Sequence, residues 1–355
     1  MKPVRVAVVG LGYWGPNLVR VLYELPETAV SWACDLDQSK LKAMKRRYPA
    51  IRRTTQLSRV FGDETVDAVA FATPVSTHFD LASAALEAGK HVFVEKPLAA
   101  STAEAAELVT LAKKRGLVLM PGHTFLYSPP VNLIADLMGS GDLGSIYFIS
   151  MSRVNLGIHQ SDVSVTWDLG PHDFSILRYW LGETPVRVSA ISRGCVFPET
   201  PDVAFINLQF HSDTLAHVEL SWLAPSKLRR TAIVGSEKMV LYDDTSTEPV
   251  RIFDSGVMLP EPQTYGEYRL TYRTGDILSP RVEVSEPLTL QMRDFARAIR
   301  TGQTPRSSAE LGVDVVRTIE AVDQSLAAAG AVIDVDGVPR RQALPAAGEA
   351  VSSSS

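Results

Sequence analysis

The sequence of 355 residues is poor in cysteine, in excess basic charge and in long apolar runs. Its two cysteines, Cys34 and Cys195, are far apart, which argues against a disulfide framework or a cysteine-rich zinc site and is typical of a reducing cytosol. A net charge of −5 removes the electrostatic case for nucleic-acid binding. No apolar run has the length of a membrane span, and residues 1–3 leave no room for a signal peptide before the first strand. We therefore expect a cytoplasmic protein that binds neither nucleic acid nor membranes.

The seven histidines do not form a metal-binding pattern either. No pair of them has metal-ligand spacing together with a carboxylate partner, so we predict no metal. His91 is predicted to be structural, and His211 and His217 are predicted to be exposed beside a turn. His159 lies in a polar loop at 155–166 that is placed to fold over a substrate.

The first pattern in the sequence is a predicted strand followed by a glycine-rich turn. The run at 4–9 is apolar except for Arg5, which is typical of a strand buried on both faces. The turn at 10–15 reads Gly-Leu-Gly-Tyr-Trp-Gly, and leucines and valines at helical spacing follow it. Between a strand and a helix, the first glycine permits a tight turn and the second lets a pyrophosphate approach the backbone. The third lets the helix pack closely on the strand. The alternative is a glycine-rich turn without a ligand. The candidate cofactor residues here are Gly10, Gly12, Tyr13, Trp14 and Gly15.

A second apolar strand, at 30–34, ends in Asp35. Asp35 lies 20 residues after the last glycine of the turn, where a carboxylate binds the ribose hydroxyls of NAD and repels the 2′-phosphate of NADP. Asp37 adds to that repulsion, and one of the two aspartates is expected to cap the helix predicted at 39–48. The basic run on this helix is typical of a solvated face, although an arginine folded back onto the adenosine would allow NADP. We predict NAD as the cofactor, with NADP as the alternative.

Three further apolar runs, at 66–73, 91–94 and 116–120, alternate with predicted helices. This alternation predicts a parallel, doubly wound sheet with its ligand at the carboxyl ends of the strands. The second run ends in Glu95-Lys96-Pro97, which packing does not require, because proline cannot donate to a sheet and a buried Lys–Glu pair is costly. His78 is expected to support the cofactor crevice rather than to titrate. The candidate residues at these strand ends are Thr73, Pro74, His78, Glu95, Lys96 and His123.

The second half of the chain has a different pattern, in which alternating strands follow a helix predicted at 127–140. Ser212-Asp213 predicts a two-residue hairpin turn, so the pairing is expected to be antiparallel. Helices predicted at 287–300 and 309–328 return apolar faces to this sheet or to the first domain. The small and polar residues at 343–355 are typical of a disordered tail. The predicted strands are 144–154, 186–192, 203–210, 214–221, 229–234 and 238–242.

One segment of this half combines an acid with a histidine: Trp167-Asp168-Leu169-Gly170-Pro171-His172-Asp173, ahead of a helix predicted at 174–180. Asp168 and His172 are four residues apart and share a face if the helix begins before Pro171. If it does not, the turn still brings them close. On spacing alone, helix capping by Asp168 and a surface His172 is the better interpretation.

Several of these motifs, in this order, resemble the Gfo/Idh/MocA (glucose–fructose oxidoreductase / inositol dehydrogenase) family. They are the turn at 10–15, Thr73-Pro74 with His78, the segment 88–92 and Glu95-Lys96-Pro97. The resemblance covers residues 3 to about 330. It implies an α/β protein with an N-terminal Rossmann domain and a C-terminal α/β domain that has a large open, mostly antiparallel sheet. We accordingly predict an NAD-binding domain at 1–122, a substrate-binding and oligomerisation domain at 123–335, and a flexible tail at 336–355.

The resemblance also implies a catalytic set. In relatives the lysine that matches Lys96 is catalytic, and the bond that matches Lys96–Pro97 is commonly cis. An Asp and a His that match Asp168 and His172 join this lysine at the nicotinamide. The resemblance therefore favours a catalytic pair over the helix cap and surface histidine that spacing alone favours. We expect His172 to be the general base, Lys96 to stabilise the alkoxide and Asp168 to orient both. Relatives cover the outer sheet face with another subunit, so a homodimer or homotetramer through the C-terminal sheet is expected.

The expected reaction is NAD-dependent oxidation of a secondary hydroxyl in a sugar-like substrate. The segments 122–125, 155–157 and 167–173 look like the branch that oxidises nucleotide-linked sugars, at C3 of a UDP-amino sugar or uronate. The alternatives are an inositol dehydrogenase, an NADPH-dependent sugar ketoreductase and a dinucleotide-sensing regulator without turnover. The predicted substrate-binding residues are Lys96, His123, Tyr127, Arg153, Asn155, Asp168 and His172.

Overall fold

The first sheet is built from short runs of valine, alanine and phenylalanine that are buried on both faces. The computed structural model describes residues 2–157, 163–258 and 271–335. Its first strands are β1 (Val4–Val9), β2 (Thr28–Cys34), β3 (Arg52–Thr54), β4 (Ala68–Phe71), β5 (His91–Val94) and β6 (Leu119–Pro121). Among the described residues they form a parallel sheet in the order β3-β2-β1-β4-β5-β6. The strand order reverses between β1 and β4, and ligands of such sheets bind at the carboxyl ends of the strands beside this reversal.

Helices connect these strands, as the alternating pattern predicts. They are α1 (Gly15–Glu24), α2 (Gln38–Arg47), α3 (Leu57–Phe61), α4 (His78–Glu87) and α5 (Thr102–Arg115). Leu18 and Leu22 lie one turn apart on α1 and are fully buried, so the helix packs on the sheet through an apolar stripe. The parallel, doubly wound first sheet is therefore confirmed. The short β3 and α3 were not predicted, because Arg52–Thr54 carries no apolar run.

The second sheet is longer and mostly antiparallel. Its strands are β7 (Ile146–Leu156), β8 (Arg187–Arg193), β9 (Val203–Gln209), β10 (Leu215–Ser221), β11 (Leu223–Gly235), β12 (Met239–Asp243), β13 (Val250–Met258), β14 (Thr271–Leu278) and β15 (Ile333–Asp334). Within the described ranges their order is β14-β13-β12-β11-β7-β10-β9-β8-β15. Only β7 and β10 pair in parallel there. This arrangement confirms the large, mostly antiparallel sheet.

The turn between β9 and β10 differs from the prediction by one residue. The Phe210 N–H donates to the Thr214 carbonyl at 3.0 Å, so three residues rather than two reverse the chain. The last of them, Asp213, has φ of 63°, a conformation that aspartate tolerates better than most side chains.

One face of the second sheet is covered by helices. The remaining helices are α6 (Pro129–Gly139), α7 (Val165–Leu181), α8 (Pro287–Thr301) and α9 (Ala309–Ala327). α9 packs on α7, on β8 and on α5 of the first domain, so this helix joins the two halves of the protein. The prediction that α7 begins at 174 is wrong. It begins at Val165, because Ser164 caps it and Pro171 is accommodated inside the helix.

The opposite face of the second sheet mixes apolar and polar side chains. Phe148 and Phe205 are exposed there, while His217 stacks on Phe205 and contacts Asn207 Oδ1 at 2.9 Å. The oligomer through this face stays a prediction. The domain limits also stay predictions, and His159 and the tail at 336–355 lie outside the described residues. None of the helices in the described part of the chain combines the length and hydropathy that a membrane span requires.

Candidate active site

The glycine-rich turn after β1 has a shape that requires its glycines. Gly10 has φ of 88°, and a Cβ atom on it would lie 2.4 Å from the Ala72 carbonyl oxygen. A Cβ on Gly15 would lie 1.9 Å from the carbonyl oxygen of Gly10. At Gly12 no heavy atom of another described residue lies within 4 Å of such a Cβ, so the surface there is open. The first and third glycines thus close the turn, and the second leaves the space that a pyrophosphate needs at the start of α1.

The carboxylate of Asp35 is held beside this turn. Its Oδ2 accepts from the Leu11 N–H at 2.6 Å, and Lys40 Nζ lies 3.4 Å from the same oxygen. The Asp37 side chain accepts from the Ser39 N–H and caps α2. Of the two aspartates considered for the cap, Asp37 fills that role, and Asp35 is left at the carboxyl end of β2, where a ribose would bind.

His78 connects two strand ends behind the crevice. Its Nδ1 lies 2.8 Å from the Pro97 carbonyl oxygen and its Nε2 lies 2.9 Å from the Thr73 carbonyl oxygen. Burial lowers the pKa of His78, so the ring is neutral and donates to one carbonyl at a time. The side chain is fully buried, so it positions Thr73 and Pro97 rather than facing a ligand. Pro74 begins the turn that leads into α4.

Glu95 and Trp14 form a buried polar pair. Burial raises the pKa of Glu95 to about 7, and a Cβ on Gly122 would lie 2.8 Å from its Oε2. Glu95 Oε1 and Trp14 Nε1 are buried, and the indole N–H faces the carboxylate closely enough to lower its pKa, although the pair lacks regular hydrogen-bond geometry. The open surface at Gly12 and the Asp35 carboxylate at the end of β2 fit a nicotinamide dinucleotide. Tyr13, by contrast, is 90% exposed.

Lys96 reaches from the first sheet to α7. Its Nζ donates to the Asp168 carbonyl oxygen at 2.7 Å and to Asp168 Oδ1 at 3.1 Å. The Lys96–Pro97 peptide is cis, as the resemblance implied. Because α7 begins at Val165, Asp168 and His172 lie one turn apart on the same face. The structure therefore brings together the three residues predicted to be catalytic.

His172 is held as a neutral imidazole. Burial lowers its pKa well below the ordinary value, and the positive charges of Lys96, Arg153 and Arg229 lower it further. The edge of the ring meets Phe125, with the ring centroids 5.0 Å apart. A neutral histidine beside an alcohol accepts a proton, which is what a general base must do.

Three residues close to Lys96, Asp168 and His172 were not predicted as site residues. Trp222 Nε1 donates to Asp168 Oδ2 at 3.2 Å, so the carboxylate is fixed from both sides. The guanidinium groups of Arg153 and Arg229 lie over the Phe125 ring, with their Cζ atoms 4.5 Å and 5.3 Å from its centroid. No sequence signal marks Trp222 or Arg229, because their place depends on how β10 and β11 pair with β7.

Two of the predicted substrate-binding residues are engaged inside the protein. Arg153 is buried and forms a two-pronged ion pair with Asp173, at 2.7 and 2.9 Å. The Tyr127 hydroxyl is buried, donates to Asp294 Oδ2 at 2.8 Å and accepts from the Ser307 N–H at 3.0 Å. The structure therefore does not present Tyr127 to a substrate, and it pairs Arg153 with Asp173 inside the protein.

His123 and Asn155 are the other predicted contacts. His123 is completely buried, and neither ring nitrogen has a hydrogen-bond partner in the described ranges. Burial lowers the pKa of His123 to about 3, so the ring is neutral. Asn155 is half-buried near the end of β7. Across residues 2–157, 163–258 and 271–335, no group of three His, Cys, Asp or Glu side chains is placed to hold a metal ion.

The fold and the site together define a dehydrogenase of CH–OH groups. A family model described as an oxidoreductase family with an NAD-binding Rossmann fold matches residues 4–123. A second, described as the GFO/IDH/MocA C-terminal domain, matches residues 131–241. The chain belongs to the Gfo/Idh/MocA family of oxidoreductases.

Similar proteins act on sugars and cyclitols. A UDP-N-acetylglucosamine 3-dehydrogenase of Acidithiobacillus ferrooxidans is 30% identical over 68% of this chain and 75% of its own. An NAD⁺-dependent scyllo-inositol 2-dehydrogenase of Bacillus subtilis is 26% identical over 85% of this chain and 88% of its own. The crystal structure of GenD2 from gentamicin A biosynthesis, in complex with NAD, is 25% identical with a TM-score of 0.81, covering 95% of this chain and 97% of its own.

Proposed function

We propose that this protein oxidises a secondary hydroxyl of a nucleotide-linked amino sugar or uronate, at C3, with NAD⁺. The observation that carries the reaction type is the contact between Lys96 of the first sheet and Asp168 of α7, one turn before His172. The 30% identity to a UDP-N-acetylglucosamine 3-dehydrogenase supports the substrate class. The inositol dehydrogenase relative makes a cyclitol the rival substrate.

The residues of the site divide the chemistry between them. The nicotinamide, when bound, supplies the hydride acceptor. His172 takes the hydroxyl proton, since burial and neighbouring cations keep the imidazole unprotonated. Lys96 donates a hydrogen bond to the substrate oxygen and stabilises the negative charge that develops on it. Asp168, held by Trp222, keeps the ammonium group in place.

Arg229 supports an anionic substrate over a neutral cyclitol. Its guanidinium lies near His172 and over Phe125, and its side chain is 33% exposed. Nη1 contacts Asp244 Oδ2 at 2.8 Å, and the rest of the group faces no second carboxylate in the described residues. A partly exposed arginine presents donors that suit a diphosphate or a carboxylate. Inositol has neither group.

A substrate panel tests this proposal. We expect NADH formation with UDP-N-acetylglucosamine or its uronate and about tenfold or more lower kcat/KM with myo- or scyllo-inositol. In Arg229→Met, KM for the UDP-sugar should rise about tenfold. Arg230→Met is the matched control, because Arg230 follows on the same strand and is exposed. Higher kcat/KM with an inositol, unaffected by Arg229→Met, would make the protein a cyclitol dehydrogenase.

The choice of NAD⁺ over NADP⁺ rests on Asp35. Its carboxylate lies at the end of β2 and is anchored to the Leu11 N–H, where it would accept from ribose hydroxyls and repel a 2′-phosphate. Asp35→Ser is expected to raise kcat/KM for NADP⁺ relative to NAD⁺ by on the order of tenfold or more. Asp37→Ser keeps a capping side chain on α2 and removes only the additional negative charge, so it should raise the ratio much less than Asp35→Ser. A wild-type preference for NADP⁺ would contradict the assignment.

A further inference from the structure

A basic pocket lies outside the active site, between α2, the end of β3 and α3. It has a volume of about 350 Å³ and nine lining residues, of which four are cationic and none is acidic. Lys42 and Lys45 come from α2, Arg53 from β3 and Arg59 from α3. Three separate elements therefore direct positive side chains toward one cavity.

Lys42, Lys45 and Arg59 are exposed around this pocket, and Arg53 is half-buried. None of them forms an ion pair within the described ranges, whereas the neighbouring Arg52 pairs with Asp63 at 2.6 Å. Arg53 Nη1 is also buried and has no hydrogen-bond acceptor in that part of the chain. A buried donor without an acceptor is unfavourable, and a bound anion would supply the acceptor.

A solvated helix face does not explain this arrangement. Basic residues in the last turn of α2 are favoured by the helix dipole, which accounts for Lys45, Arg46 and Arg47 without any ligand. It does not account for Arg53 and Arg59, which come from other elements to the same cavity.

We propose that this pocket binds a polyphosphate anion that is separate from the dinucleotide. Arginine and lysine are the usual partners of phosphate, and the volume is within the range of small-ligand sites. None of the residues predicted to hold the cofactor lines the pocket. The Asp35 backbone N–H donates to the Thr54 carbonyl at 3.3 Å, whereas the Asp35 carboxylate faces the glycine-rich turn.

Calorimetric titration of the full chain with inorganic pyrophosphate tests the proposal. The titration is run at constant ionic strength with saturating NAD⁺, so that the cofactor site is filled. We expect saturable binding, which Arg53→Gln and Lys45→Gln each weaken about tenfold or more. Arg46→Gln removes the same charge from α2 outside the pocket and should leave the affinity unchanged. Turnover with NAD⁺ should be unaffected in all three variants.

Two results would overturn it. If pyrophosphate does not saturate, or if Arg46→Gln weakens binding as much as Lys45→Gln, only diffuse surface charge is present. If Arg53→Gln weakens NADP⁺ binding while the NAD⁺-saturated enzyme does not bind pyrophosphate, the cations serve the 2′-phosphate of a cofactor. Lys45 is exposed on α2, so its variant gives an answer even if Arg53→Gln unfolds.

Discussion

Replacing Lys96 by methionine is expected to lower kcat by on the order of a hundredfold or more. Methionine keeps much of the length and apolar packing of the lysine stem but removes the ammonium group that contacts Asp168 at 2.7 and 3.1 Å. That group is the donor placed to meet the charge that develops on the substrate oxygen. A hundredfold loss corresponds to about 3 kcal/mol of transition-state stabilisation, a usual value for one such donor.

Two quantities are measured for each variant. They are kcat with both substrates saturating and the dissociation constant of NAD⁺ from a fluorescence titration. We expect the dissociation constant to stay within about threefold of wild type, because the interaction lost acts on the transition state. Lys40→Met is the contrasting variant, since Lys40 contacts Asp35 beside the glycine-rich turn. It should change NAD⁺ affinity and leave kcat intact. A wild-type kcat in Lys96→Met would remove the lysine from the mechanism.

The cofactor side of the site was predictable because its requirements are local in sequence. A glycine whose Cβ would overlap a neighbouring carbonyl must be glycine whatever packs elsewhere, and Gly10 and Gly15 are such positions. Asp35 follows directly from where β2 ends. The doubly wound sheet followed from alternation of strand and helix for the same reason.

The substrate side depends on contacts between distant segments, and there prediction reached less far. Tyr127 was predicted to bind the substrate, yet its hydroxyl donates to Asp294, 167 residues away in sequence. Arg229 and Trp222 reach the site only through the pairing of the second sheet. No spacing rule in one sequence predicts such pairing.

The start of α7 determines whether Asp168 and His172 lie on the same helix face, which their spacing alone left open. Asp168 and His172 share a face because Ser164 caps the helix ahead of both and Pro171 does not end it. Proline in a helix interior usually ends or kinks the helix, and the helix predicted at 174–180 lay after Pro171. The resemblance to relatives favoured the right pairing. The sequence pattern by itself favoured a surface histidine.

Replacing His172 by glutamine is expected to lower kcat/KM at neutral pH by about a hundredfold or more, because glutamine keeps a polar side chain but cannot accept a proton. The pH profile gives a sharper result. Since the pKa of His172 is lowered well below 6.5, activity that requires the neutral ring should persist at pH 6.5 and fall only at lower pH. In the glutamine variant this acidic decline should vanish, as no imidazole remains to be protonated.

The Arg229→Met variant tests independently in which direction a neighbouring positive charge shifts the pKa of His172. Removing a positive charge near the imidazole stabilises its protonated form, so the pKa of His172 should rise and the acidic decline should move to higher pH. His217→Gln, on the outer face of the sheet, is the matched control and should leave the profile unchanged. Profiles of kcat/KM against pH for the four proteins check both expectations. An acidic decline that is the same in His172→Gln as in wild type would assign the proton to another group.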